Sequence, residues 1–342
     1  MRTDGDLRVA VVGTGRMGAN HAQRLAGTTQ HAAVGAVVDI DMDRARAVGA
    51  QVSRIQAAPV PAFASIEEML AADVVDAVLL VTPGALHERA LVDLIEAGVP
   101  VLCEKPLTPE PESAVRVLRA EQRAGRRLIQ VGFHRRFDAE YRQLKQIVDS
   151  GQLGQLLMMH FQHRNPAAPE WFTEEMLIND SVVHEFDALR FFTGEEITSV
   201  HVRTGRSTVK GMMRDPQMVL MQTSSGLLAD VEIFMNARLG YQVQAQAVFE
   251  DGVVSAGHPS GLQMTAQVRQ SLAIAENFYD RFAPAYDQEV QEWVNAVRAG
   301  GLSGPSAWDG YATAACCDAG VASQQSGNSE LVHLIDQPPL YR

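Results

Sequence analysis

The sequence predicts an α/β protein in two parts: a doubly wound parallel sheet in residues 1–130, then an α+β domain built on a largely antiparallel open sheet in residues 131–342. Three observations predict it. Short apolar runs alternate with helix-like stretches up to about residue 130, a glycine-rich turn closes the first run, and a clean two-residue alternation takes over further on. Length agrees, because 342 residues exceed what one hydrophobic core usually serves.

The apolar runs are Arg8 to Gly13, Ala33 to Asp39, Val74 to Thr82, Pro100 to Glu104 and Arg127 to Gly132. Buried parallel strands read as such short continuous runs. Helices are expected between them, among them Leu86 to Ala97 and Glu112 to Ala124. Gly98 and Gly125 stand just beyond these two, where a left-handed C-terminal cap favours glycine. Further along, Gln242 to Phe249 sets Val243, Ala245, Ala247 and Phe249 on one face against Gln242, Gln244 and Gln246 on the other. Val231, Ile233 and Met235 alternate with Asp230, Glu232 and Asn236 in the same way. Ser-Ser-Gly and Asp-Gly turns separate these segments, the pattern of an antiparallel sheet with one packed face. No repeat or low-complexity linker divides the parts, so close packing with a ligand cleft between them is expected.

Composition excludes several function classes. Hydrophobic residues make up 46% and charged residues 20%, enough for conventional cores. A formal net charge of -12, with no Lys/Arg cluster interleaved with aromatics, argues against nucleic acid and anionic membrane as partners. Apolar runs such as Val9 to Val12 and Val78 to Val81 fall far short of the roughly 20 residues of a spanning helix. Asp4 and Asp6 precede the first run, unlike a signal peptide, so a cytoplasmic location is expected. Cys103, Cys316 and Cys317 offer neither a disulfide framework nor a Cys-x-x-Cys spacing and read as buried thiols.

The segment Val9-Ala-Val-Val-Gly13-Thr-Gly15-Arg16-Met17-Gly18 puts Gly-x-Gly-x-x-Gly at the end of a strand and the head of a helix. Gly13 permits the tight turn, Gly15 lets the backbone approach a pyrophosphate, and Gly18 allows helix to pack closely on strand. Free N–H groups and the positive helix end then face the phosphates. An isolated glycine pattern is often only a turn, but here strand, helix and a following acid agree on a Rossmann domain. That acid, Asp39, lies about 20 residues beyond the loop, where it accepts hydrogen bonds from the adenosine ribose and repels a 2'-phosphate. NAD is therefore expected over NADP, with Arg44 and Arg46 near enough to leave NADP as a secondary cofactor. A turn or cap is the plainer role for Asp39. Thr82, His87, Glu104 and Lys105 are expected to join Arg16 and Met17 in completing the cofactor site.

Removing hydride from an alcohol needs a base for the hydroxyl proton and a group that stabilises the developing alkoxide. Lys105 lies at the carboxyl end of a predicted strand, where open α/β sheets bind ligands, and Glu104 could hold it. A loop lysine is more often a solvated charge. Asp180 and His184 are four apart in a predicted helix whose packed face is Val183, Phe186 and Leu189. They share a face, so the acid could fix the imidazole tautomer. Helix cap and core histidine are the ordinary roles for that pair. His184-Glu-x-Asp187 is not the His-Glu-x-x-His of a zinc site, and no catalytic metal is expected.

The glycine loop, Glu104-Lys105-Pro106 and the Asp180-x-x-x-His184 pair together resemble the Gfo/Idh/MocA oxidoreductase family over nearly the whole chain. Gly132-Phe-His-Arg-Arg136-Phe-Asp138, His163-Arg-Asn-Pro166, Asp215-Pro-Gln217 and Gly304-Pro-Ser-Ala-Trp-Asp-Gly310 are most similar to its inositol-oxidising branch. The resemblance implies NAD-linked oxidation of a ring hydroxyl of myo-inositol to the keto compound. His184 would be the base, Asp180 its orienting partner and Lys105 the group that polarises the reacting oxygen. It further implies polyol contacts from Arg135, Asn165, Tyr241 and Tyr286, and a homotetramer that buries the open sheet face. His134 and Phe137 depart from the family's Gly-Phe-Met-Arg-Arg-Tyr, which leaves another cyclitol or a pyranose open as substrate. A non-catalytic NAD-binding sensor is the competing class, and a pure binder has no need of a lysine with an acid-oriented base.

Overall fold

The computed structural model describes residues 5–208, 213–259, 263–266 and 268–342, and divides into two compact units. The first holds the chain up to Phe133 with Tyr286–Ala314 and Ile335–Arg342; the second holds His134–Ala285 and Ala315–Leu334. A single boundary at residue 130 is thus replaced by a chain that returns to its first unit. The reason is apolar burial: Val290, Trp293 and Val294 lie in one core with Val9, Val37 and Leu79. Each fully buried valine contributes about 1.5–3 kcal/mol.

In the first unit, β1 (Leu7–Val12), β2 (Ala32–Val38), β3 (Ala62–Phe63), β4 (Ala77–Leu80), β5 (Val101–Glu104) and β6 (Ile129–Gly132) form one parallel sheet in the order β3-β2-β1-β4-β5-β6. The order reverses between β1 and β4, the switch point at which such sheets take ligands. Helices α1 (Arg16–Gly27), α2 (Met42–Gln56), α3 (Ile66–Ala71), α4 (His87–Glu96) and α5 (Pro111–Ala124) alternate with the strands. All five expected strands are present; the two-residue β3 has no apolar run to announce it. Gly98 and Gly125 take φ values of 70° and 71°, the left-handed conformation expected of them.

The second unit carries α6 (Ala139–Ser150), β7 (Leu156–Arg164), a π-helical turn (Leu177–Val182), α7 (Val183–Thr193), β8 (Ile197–Thr204), β9 (Gln217–Thr223), β10 (Leu228–Phe234), β11 (Gln242–Phe249), β12 (Val253–Ala256) and a small hairpin of β13 (Gln263–Ala266) and β14 (Arg269–Leu272). Helices α8 (Phe278–Arg298) and α9 (Ala307–Ser326) contribute residues to both units, and β15 (Ser329–Leu331) closes the second sheet. That sheet runs β12-β11-β7-β10-β9-β8-β15 and is antiparallel except for β7 with β10. A parallel pair needs a long crossover, and the residues between β7 and β10 supply it. Val219, Met221, Val231, Ile233, Val243 and Ala245 point to the buried face. The opposite face bears Gln242, Gln244 and Gln246 with cross-strand pairs His160–Asp230 at 2.6 Å and Arg164–Glu232 at 2.7 Å. Among the described residues no helix is long and apolar enough to cross a membrane.

Candidate active site

The glycine loop has the shape a dinucleotide requires. A Cβ on Gly13 would stand 2.7 Å from the Val81 carbonyl, and one on Gly18 only 1.8 Å from the Gly13 oxygen, so neither position tolerates a side chain. Gly13 also has φ 92°. At Gly15 a Cβ would meet nothing within 4 Å, so that face of the loop is open to an incoming phosphate. Helix α1 has no acidic residue in its first turn to oppose an anion. The Thr82 hydroxyl is buried with no hydrogen-bond partner among the described residues, one more polar group that a bound nucleotide would satisfy. The residues present therefore fit NAD.

Asp39 is at the end of β2, as expected, but its carboxylate is already engaged. Oδ2 accepts the Thr14 backbone N–H at 2.8 Å and the Thr14 hydroxyl at 2.9 Å. Oδ1 accepts the Asp41 N–H at 2.9 Å and Arg44 Nη2 at 2.8 Å, with Arg44 Nε 3.2 Å from Oδ2. Burial alone would raise this carboxyl, yet the bonds from Arg44, Asp41 and Thr14 hold it well below the usual carboxylate range. Asp39→Ala should therefore lose preference for NAD over NADP, and a preference ratio equal to the parent's in initial-rate assays overturns the ribose-contact assignment.

At the ends of β4 and β5 the expected residues divide into two kinds. His87 is buried, with Nε2 2.7 Å from the Thr82 carbonyl oxygen and Nδ1 2.8 Å from that of Pro106. It clamps the two strand-end loops together rather than offering a ring nitrogen to a ligand. Burial pushes its pKa down, against those two carbonyls. Glu104 is likewise committed: Oε1 lies 2.8 Å from His21 Nε2, and Oε2 accepts the Lys105 backbone N–H at 3.2 Å. Lys105 follows directly and enters a cis bond to Pro106. Tyr286 belongs to this first unit, buried with its ring edge-on to His21 at 5.8 Å and the Arg24 guanidinium 5.4 Å over its face.

The second unit brings together a different set. Asp180 lies in the π-helical turn, a distortion common at functional positions, and His184 in the first turn of α7. The expectation of one packed face for α7 is corrected: His184, Glu185, Asp187 and Arg190 are buried along with Val183, Phe186 and Leu189. Charges can be buried there because each has a partner. Asp187 pairs with Arg136 at 2.5 Å, Arg190 with Glu196 at 2.7 Å, and Glu185 with Arg135. His184 meets the ring of His134 edge to face, centroids 5.0 Å apart, and His134 packs in the same way on Phe282 at 4.9 Å.

Arg135 is fully enclosed by Glu185 and by His163, whose Nδ1 is 3.3 Å from the guanidinium and 3.2 Å from Glu185 Oε2. Tyr241 lies beside this cluster, 6.1 Å from the His163 ring, its phenol pushed up to about 12 by burial. The side-chain oxygen of Asn165 is buried without a hydrogen-bond partner among the described residues. Two further matches are structural: Asp215 is buried and accepts the backbone and side-chain N–H groups of Asn236, and a Cβ on Gly304 would collide with Gln130 at 2.2 Å.

Burial would raise the Glu185 carboxyl, but Arg135 and then His163 outweigh it and hold it at about 2, against an ordinary 4.5. Because the folded-state value is depressed, this stabilisation is present above pH 4.5 and fades as pH falls through about 2. Glu185→Gln should lose about 3–5 kcal/mol at neutral pH, since it leaves Arg135 buried without its counter-charge. Its stability should also vary less than the parent's between pH 4.5 and 2 in acid titrations followed by circular dichroism. An acid limb identical to the parent's contradicts this account.

Among the described residues no group of three or more His, Cys, Asp or Glu could hold a metal ion. No local spacing announces His21, nor that Arg135, Glu185 and His163 meet in one cluster, because the partners are 83, 50 and 22 residues apart.

Comparison with known proteins bears on both units. Residues 7–133 match the model of the GFO_IDH_MocA oxidoreductase family, NAD-binding Rossmann fold, and residues 141–255 match the GFO/IDH/MocA C-terminal domain. The chain is 54% identical over 338 residues to inositol 2-dehydrogenase 1 of Paenarthrobacter aurescens, covering 98% of this chain and 99% of that one. It is 49% identical over 340 residues to inositol 2-dehydrogenase 4 of Saccharopolyspora erythraea, covering 98% of each. A crystal structure of myo-inositol dehydrogenase from Lactobacillus casei with NAD(H) and myo-inositol superposes with TM-score 0.94 at 30% identity, over 98% of this chain and 100% of that one.

Proposed function

The chain belongs to the Gfo/Idh/MocA oxidoreductase family, and on that premise we propose that it oxidises a ring hydroxyl of myo-inositol to the keto-inositol, with His184 as the base. It is an NAD-dependent dehydrogenase acting on a CH–OH group. The observation that carries the substrate is the 54% identity, over 338 residues, to a relative named for inositol.

NAD, when bound, accepts the hydride at its nicotinamide ring. The remaining work falls to this chain. His184 takes the hydroxyl proton, and Asp180, four residues earlier, orients the imidazole. The Lys105 ammonium donates to the reacting oxygen and stabilises the negative charge that develops there. Asn165, whose buried side-chain oxygen has no partner among the described residues, and Tyr241 contact the other hydroxyls of the ring. Arg135, committed to Glu185 and His163, holds the helix that carries His184. Asp39 selects the unphosphorylated ribose.

Absorbance of NADH after mixing the protein with NAD and each of myo-, scyllo- and D-chiro-inositol and a set of aldoses tests the reading. Fastest turnover is expected with myo-inositol. A faster aldose would move the substrate to a pyranose, and NAD binding without turnover on any of them would put the sensor class ahead.

The assembly we propose is a homotetramer through the polar face of the second sheet. That face exposes Met218, Leu220 and Leu228 among its cross-strand ion pairs, a mixture suited to a partner sheet. A one-chain mass by light scattering would refute it. Buried free thiols at Cys103, Cys316 and Cys317 suit a reducing cytoplasm, which cell fractionation checks.

A further inference from the structure

The Glu104 carboxylate is enclosed by three elements. His21 reaches it from α1 at 2.8 Å, the Lys105 N–H from its own strand end at 3.2 Å, and Gly132 on β6 leaves it room. A Cβ on Gly132 would stand 3.2 Å from Glu104 Cα and 3.3 Å from Oε2, tighter than most side chains bear. His21 is 1% exposed and lies three residues beyond Gly18 of the dinucleotide loop.

We propose that the His21–Glu104 pair positions Lys105: His21 locks the carboxylate that anchors the Lys105 backbone and sets the field at its ammonium. The inference rests on the role proposed for Lys105. The pair ties the helix that begins at the glycine loop to the strand end that bears the lysine, so both are held in one geometry. The carboxylate stays ionised although enclosed. Burial would raise it, but the hydrogen bond and charge of His21 and the charge of Lys105 bring it below its usual range. A carboxylate fixed in this way keeps a negative charge in a set position beside the lysine that is to donate to the alkoxide. The other groups facing Glu104 are the buried His87 and Cys103; behind His21 stand Tyr286 and Arg24, the latter paired with Asp287 at 2.5 Å.

The test compares His21→Phe, His21→Gln and Lys105→Met for kcat, NAD affinity, melting temperature and the pH profile of kcat/KM. His21→Phe should lower kcat about 10²-fold, the cost of a small misplacement at a reacting centre, and displace the pH profile while NAD affinity holds. His21→Gln keeps an N–H donor and should recover most of that loss. Parental kcat in His21→Phe overturns the inference. An equal loss in both variants, with NAD affinity and melting temperature falling alongside kcat, overturns it too, because it marks a structural role. If His21→Phe does not fold, Glu104→Gln decides, since it keeps the shape and removes the charge; a parental kcat and pH profile there are fatal. Full turnover in Lys105→Met would instead remove Lys105 itself from the mechanism, a separate failure.

Discussion

His184→Ala is expected to lower turnover of the polyol by about 10²- to 10⁴-fold, the usual contribution of a positioned general base, while NAD still binds. The two effects separate because His184 is in the second unit, on α7, whereas the glycine loop and Asp39 belong to the first. Helix α7 does not depend on the imidazole for its place, being held by Glu185 with Arg135, Asp187 with Arg136 and Arg190 with Glu196. The lost side chain removes one of two ring neighbours of His134, which keeps its contact with Phe282, so the change is local. Tryptophan fluorescence on titration with NAD and NADH absorbance during turnover measure the two quantities independently. Turnover at the parental rate would remove His184 from the chemistry.

Gly18→Ala should cost both stability and cofactor. The added Cβ would lie 1.8 Å from the Gly13 oxygen and 2.9 Å from its carbonyl carbon, backbone atoms that cannot swing aside as a side chain can. Either α1 lifts from β1 or the turn opens, and overpacking of this kind costs about 1–3 kcal/mol or more. Affinity for NAD falls with it, because the loop's N–H groups lose their common direction. Gly15→Ala makes the contrast: its Cβ meets nothing within 4 Å, so melting temperature should stay at the parental value while NAD affinity drops. Equal melting temperatures for Gly18→Ala and the parent would show that the helix and strand are not in the contact described.

Much of the fold was legible because its signals are local. A short apolar run that alternates with helix-like stretches reads as a buried strand, Gly98 and Gly125 past their helices are left-handed, and alternating Gln and apolar residues give the two faces of β11. The same holds for the dinucleotide loop and for Asp39, which the physics of one βα unit places without help from the rest of the chain. Where local signals were silent, expectation and structure part. The π-helical turn that carries Asp180 has no sequence pattern of its own, and β3 is two residues long. Burial of the charged positions of α7 goes beyond the single packed face that helical period indicates.

Local pattern sufficed for five strands of the first sheet, the two faces of β11 and the glycine loop with its acid, and likeness to a family led to the roles proposed for Lys105, Asp180 and His184. Tertiary structure alone decided which charges meet. Arg135 joins Glu185 and His163 inside the second unit, His21 joins Glu104 inside the first, and Trp293 returns to the first core from the far end of the chain. The physical reason is that spacing along a helix or strand reports only neighbours within a turn or a pleat. A buried ion pair forms between residues dozens of positions apart, once desolvation leaves each charge no alternative to the partner the fold brings to it.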